Sequence, residues 1–217
     1  DGQHIFKIDK VDNRPISEEA LQHITSSLSE TSSEAVVFSD FRHGIFNRDT
    51  IPTLKRCIPD GPLKVADSQV ASRWGNILDF DGFDLITPNE KEARFTLGDQ
   101  DSVIRPLSLD LYKKSRCKTL ILKMGAKGIM TYRAPSPDVR SFFSIDSFAG
   151  DVVDAVGAGD ALLAYSTLGL ASTNSAVIAS ILGSFAAAVA CEREGNVPVA
   201  FSEVQSKIDA IEKLRQY

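Results

Sequence analysis

Cysteine is scarce and unpatterned. The 217-residue chain has three, Cys57, Cys117 and Cys191, odd in number, far apart and outside any C-x-x-C pair. That argues against a disulfide framework and against a structural zinc site, and it fits a reducing, cytoplasmic setting. Basic runs are missing as well: with a net charge of -5 and no Lys/Arg stripe, nucleic acid is not an expected partner. No apolar run is long enough for a bilayer. The longest, Ala176 to Cys191, falls short of the roughly 20 residues that a span needs and is interrupted by Ser180, Gly183 and Ser184, so it reads as a buried helix and no membrane partner is expected. Internal repeats, low-complexity tracts and long linkers are absent too.

What is present describes an ordinary globular protein, 43% hydrophobic and 24% charged, and the length suits one domain over residues 1–217. Gln3 to Val11 alternates loosely around Ile5, Ile8 and Val11, as an edge strand does. From Ala35 onward the chain alternates. Short apolar runs at 35–38, 63–66, 84–87 and 119–124 predict buried strands, and helices are predicted over 48–57, 70–78, 89–97 and 107–116 between them. The segments 129–133 and 141–145 extend the sheet, and three helices follow at about 158–170, 175–191 and 202–214. Strands separated by helices imply right-handed crossovers, hence an α/β fold with a mainly parallel sheet and helices on both faces.

The stretch Asp154-Ala155-Val156-Gly157-Ala158-Gly159-Asp160 precedes a small-residue helix. Gly157 and Gly159 allow a sharp turn whose N–H groups converge, with Ala158 between them, and Asp160 stands in the first helical turn. Such a site can hold an anion while a carboxylate takes a proton. A plain helix N-terminus with an acidic first turn has the same letters. A dinucleotide fingerprint does not, because its third glycine would stand at Leu162.

Polar groups also cluster after the other strands, where parallel sheets bind ligands. They are Ser39-Asp40-Phe41-Arg42-His43-Gly44, Asp67-Ser68-Gln69, Asn89-Glu90-Lys91-Glu92 and Lys123-Met124-Gly125-Ala126-Lys127-Gly128. Asn89 and Glu92 also read as a helix capping box, and the Gly125/Gly128 pair as a hairpin turn.

Taken together, the glycine stretch and the Asn89-x-x-Glu92 spacing resemble the ribokinase-like (PfkB-type) carbohydrate kinases, whose signature is D-T-x-G-A-G-D; Ala155 replaces the usual Thr. The Ser39–Gly44 segment is similar to one in heptose-phosphate kinases, with His43 where those relatives carry Lys. The resemblance implies an ATP-dependent sugar or sugar-phosphate kinase. It gives Asp160 the role of general base, and Gly157, Ala158 and Gly159 that of phosphoryl-holding turn. Asn89, Lys123, Gly125, Gly128 and Ser184 would contact nucleotide, Glu92 would hold magnesium through water, and Asp40, Arg42 and Asp154 would touch the sugar. It implies ATP and Mg2+, allows a monovalent cation and a homodimer, and implies a missing N-terminal part, with residues 1–12 a remnant of a lid strand. Two alternatives stay open: a non-catalytic nucleotide-binding module, and a nucleoside or ketose kinase of the same fold.

Overall fold

The computed structural model describes residues 14–69, 77–135 and 140–214. The expected strand at 3–11, the lid remnant at 1–12 and most of the expected helix at 70–78 lie outside them. Where that helix was expected to end, Ile77–Asp79 forms a single 3-10 turn.

Six strands, β1 (Ala35–Asp40), β2 (Leu63–Ser68), β3 (Leu85–Ile86), β4 (Thr119–Lys123), β5 (Ile129–Arg133) and β6 (Phe142–Ile145), lie side by side in chain order. β1 to β4 run parallel; β5 and β6 close the sheet antiparallel, joined to β4 by the 3-10 turn Gly125–Lys127. Order never reverses, so right-handed crossovers put the described connecting helices on one face.

Those helices are α2 (Thr50–Cys57), α3 (Glu90–Leu97) and α4 (Ile104–Ser115), joined by α1 (Glu18–Ser29). Ile51, Leu54, Ala93, Leu107 and Leu111 pack there against Phe38, Ala66, Ile86, Leu120 and Leu122 of the sheet. The helix expected over 107–116 starts three residues earlier, at Ile104, because Pro106 fits a first turn whose N–H groups have no partners anyway. Pro52 sits in the first turn of α2 for the same reason.

The other face carries α5 (Ala158–Thr173) and α6 (Ala176–Cys191). Leu162, Leu163, Leu170 and Ala179 pack there on Val65, Leu85, Ile121 and Ile129. Successive residues of β2, β3 and β4 thus enter opposite cores, which is why their centres, Val65-Ala66, Leu85-Ile86 and Leu120-Ile121-Leu122, are continuously apolar. α7 (Phe201–Leu214) covers α6 through Val204 against Phe185 and Ala186. At the carboxyl ends of β2 to β4 the chain turns polar, with Asp67, Ser68, Thr87 and Lys123.

Candidate active site

At that end lies a cavity of about 640 Å³. Its wall includes Asn89, Glu92, Lys123, Gly125, Gly128, Gly157, Ala158, Gly159, Asp160 and Ser184, residues separated by up to 95 positions and brought together by five elements.

The α5 end of the cavity is built first by Gly157. It has φ +80°, and a Cβ there would stand 2.3 Å from Asn196 Oδ1, so a larger residue would strain the turn and displace Asn196. Ala158 N–H bends back to Ala155 O at 3.3 Å, and the first intrahelical bond runs from Ala161 N–H to Gly157 O at 2.9 Å. The N–H groups of Gly159 and Asp160 precede that bond, so they have no carbonyl within the helix to bond and the helix dipole points the same way. Of the turn's N–H groups, that of Ala158 is thus engaged by the chain itself, and those of Gly159 and Asp160 stand at the head of the helix.

Asp160, in the first turn, is raised above the ordinary carboxylate range. Burial is the largest cause, the Asp67 charge adds to it, and Lys123 opposes both. A carboxylate biased toward taking a proton beside a cluster of N–H donors is suited to accept one from an attacking hydroxyl.

Asn89 and Glu92 form the full capping box of α3. Glu92 N–H donates to Asn89 Oδ1 at 2.8 Å, while Asn89 N–H and Nδ2 donate to the two Glu92 oxygens at 2.7 Å each. The structural and the functional readings of this motif thus meet in one object, since the capped end also lines the cavity. Glu92 is 6% exposed with both oxygens engaged, which suits a cation held at one remove through water. Among the described residues no group of three or more His, Cys, Asp or Glu side chains is placed to hold a metal directly.

Gly125 and Gly128 flank the turn between β4 and β5. A Cβ on Gly128, at φ +79°, would lie 2.0 Å from Ile145 O, so the glycine lets the backbone after β6 approach the cavity wall. Ser184, 6% exposed on α6, has a buried hydroxyl oxygen without a hydrogen-bond partner and lines the opposite side.

The three residues expected to touch sugar do not line this cavity. Asp40 is 3% exposed and accepts from Arg42 N–H, Arg42 Nη1 and Ser68 Oγ, each at 2.8 Å. The Arg42 charge is thereby held against Asp40 at 2.8 Å. Asp154 Oδ1 accepts from Val156 N–H at 3.0 Å and Oδ2 from Gly195 N–H at 3.2 Å, which ties the segment before α5 to the segment after α6. Residues without an assigned role also line the cavity, among them Asp67, Lys91, Val152 and Cys191. Asp67 belongs to a segment flagged by its place after a strand; nothing local in the sequence distinguishes it from Ser68 or Gln69.

The profile of the pfkB family carbohydrate kinases matches residues 9–200. The chain is 25% identical over 211 residues to the Bifunctional protein HldE of Sulfurimonas denitrificans, and 26% over 214 to that of Desulfatibacillum aliphaticivorans, covering 94% and 95% of this chain. It spans 42% of the length of either relative. In structure it is similar to phosphofructokinase-2 from Escherichia coli in complex with potassium (TM-score 0.75, 17% identity, 91% of this chain, 64% of that one). It is also similar to ribokinase from Thermotoga maritima (TM-score 0.69, 23% identity, 91% and 62%).

Proposed function

Because the chain belongs to the pfkB family of carbohydrate kinases, we propose that its cavity binds ATP and serves transfer of the γ-phosphoryl group to a sugar hydroxyl. The observation that carries the reading is the meeting, in one cavity, of the Gly157–Gly159 turn, the raised carboxylate of Asp160, the capped Asn89/Glu92 helix end and the glycine turn after β4.

In this reading the nucleotide lies between the Gly125–Gly128 turn and the Ser184 side of α6, with its phosphates toward the α5 N-terminus. Asp160 accepts the proton of the sugar hydroxyl as that oxygen attacks phosphorus, and the bond from phosphorus to the bridging oxygen of ADP breaks. The N–H groups of the first turn of α5 face the charge that spreads over the phosphoryl oxygens; transfer of this kind needs positioning and charge stabilisation above all. Glu92 is the residue that would hold magnesium, through water, and the ion when bound would supply neutralising charge to the phosphates. The unpartnered Ser184 hydroxyl and the donors at the α5 turn fit a polar ligand of this kind.

The acceptor we assign is a sugar phosphate of the heptose-phosphate type, on the similarity of the Ser39–Gly44 segment and the HldE relatives. This reading takes the setting to be cytoplasmic and allows a homodimer. Asp40 and Arg42 lie outside the cavity and are paired with each other, an arrangement that favours a second reading: a module that binds nucleotide without turning it over.

A panel of sugars and sugar phosphates, assayed for ATP-dependent phosphorylation, separates the two. Turnover that falls by about 10²–10⁴ in Asp160→Asn is the expected result. Nucleotide binding with no turnover of any acceptor would select the second reading.

A further inference from the structure

Asp67 has no part in the mechanism above, yet its placement is unusual. It is the last residue but one of β2, and across β3 it meets Lys123, the last residue of β4: Lys123 Nζ donates to Asp67 Oδ2 at 2.9 Å. The two side chains are 9% and 16% exposed. Only one oxygen of Asp67 is used; Oδ1 is buried without a hydrogen-bond partner, on a residue that lines the cavity. Lys123 is thus the one hydrogen-bond partner that the described residues give this carboxylate.

The other end of the pair points to the phosphoryl turn. Lys123 Nζ lies 3.4 Å from where a Cβ on Gly159 would stand, in contact range of the backbone that opens α5. Among the described residues, five charged groups line the cavity: Asp67 from β2, Lys91 and Glu92 from α3, Lys123 from β4 and Asp160 from α5. Two of the carboxylates, Asp67 and Asp160, would repel an incoming phosphate, and Lys123 is the cation set among them. A free lysine gives up much side-chain freedom when it contacts a ligand; one already clamped by Asp67 has given it up beforehand.

We propose that Asp67 is a positioning residue that fixes the Lys123 ammonium beside the Gly159 turn, so that Lys123 meets the terminal phosphoryl group and the site discriminates nucleoside triphosphate from diphosphate. The inference rests on reading the cavity as the nucleotide site.

The test is calorimetric titration of the whole chain with a non-hydrolysable ATP analogue and, separately, with ADP, both with magnesium. Lys123→Met weakens binding of the triphosphate analogue by about tenfold or more, while ADP changes by less than about threefold. Asp67→Asn, which keeps the lysine but frees it, shifts the same ratio in the same direction, and Lys123→Arg keeps the preference. Should Lys123→Met fail to fold because it strands the Asp67 charge, the double variant Asp67→Asn/Lys123→Met removes both charges and shows the same selective loss. Equal weakening of both ligands, as general damage to the site would cause, or an unchanged ratio, overturns the proposal. A wild-type chain that binds neither ligand overturns the nucleotide reading and this inference with it.

Discussion

Burial and the Asp67 charge both favour the protonated form of Asp160, and Lys123 only partly offsets them. A carboxyl group whose folded-state pKa lies above its unfolded value binds more protons in the folded chain, so folding becomes less favourable as pH rises through the interval between the two. Stability is therefore given up at this residue at neutral pH. Asp160→Asn should melt at a higher temperature than the natural chain near pH 7, with the difference vanishing below the ordinary carboxylate range, where Asp160 is protonated in both states. Thermal melts across that range check it; a variant that is less stable at neutral pH, or a difference independent of pH, would contradict the assignment. Asp160 was legible in the sequence because its neighbours are glycines at a spacing that few purposes require. Lys123 and Asp67 were not legible as a pair. They stand 56 positions apart, on two strands that only the fold sets on either side of β3.

α5 and α6 show how an element can be specified by what its residues lack. Gly169 of α5 and Gly183 of α6 lie where the two helices touch: a Cβ on Gly169 would be 2.9 Å from Ala179 Cα, and one on Gly183 would be 2.1 Å from Ser166 Oγ and 3.0 Å from Leu162 O. Helix propensity favours alanine over glycine by about 1 kcal/mol. Overpacking against backbone atoms costs about 1–3 kcal/mol and should win, since Leu162 O cannot turn away as a flexible side chain would. Gly183→Ala is expected to lower stability in urea unfolding, despite its better propensity; a stabilised variant would mean that the helices can separate at little cost. The contact matters to the site, because it fixes the Ser184 side of α6 opposite the N-terminus of α5. The long helices, α5 and α6, and the apolar strands were legible from period and composition. The start of α4 was not, because the prediction began the helix after Pro106, a residue that a first turn accepts.

Across the molecule, the sheet has two cores and one polar end. Residues 119–123 illustrate it: Leu120 and Leu122 enter the core under α2 to α4, Ile121 enters the core under α5 and α6, and Lys123 emerges at the cavity. The alternation of strands and helices made this α/β plan, with a mainly parallel sheet covered on both faces, readable before any coordinates. Strand order was less accessible, since the handedness of crossovers limits topologies without choosing among them. The site divided in the same way. Asn89, Glu92, Lys123, Gly125, Gly128, Gly157 to Asp160 and Ser184 line one cavity; Asp40, Arg42 and Asp154, although they too stand in stretches with a family-like spacing, spend their polar atoms on neighbouring backbone and side chains.

The central claim is that this cavity is where the chain meets a nucleotide. Backbone amide chemical shifts, followed while the isotope-labelled chain is titrated with magnesium and a non-hydrolysable ATP analogue, test it most directly. Saturable shifts concentrated at Asn89, Lys123, the Gly125–Gly128 turn, Gly157 to Asp160 and Ser184 are the predicted result. Shifts that cluster elsewhere on the chain, or no shifts at saturating ligand, would contradict it.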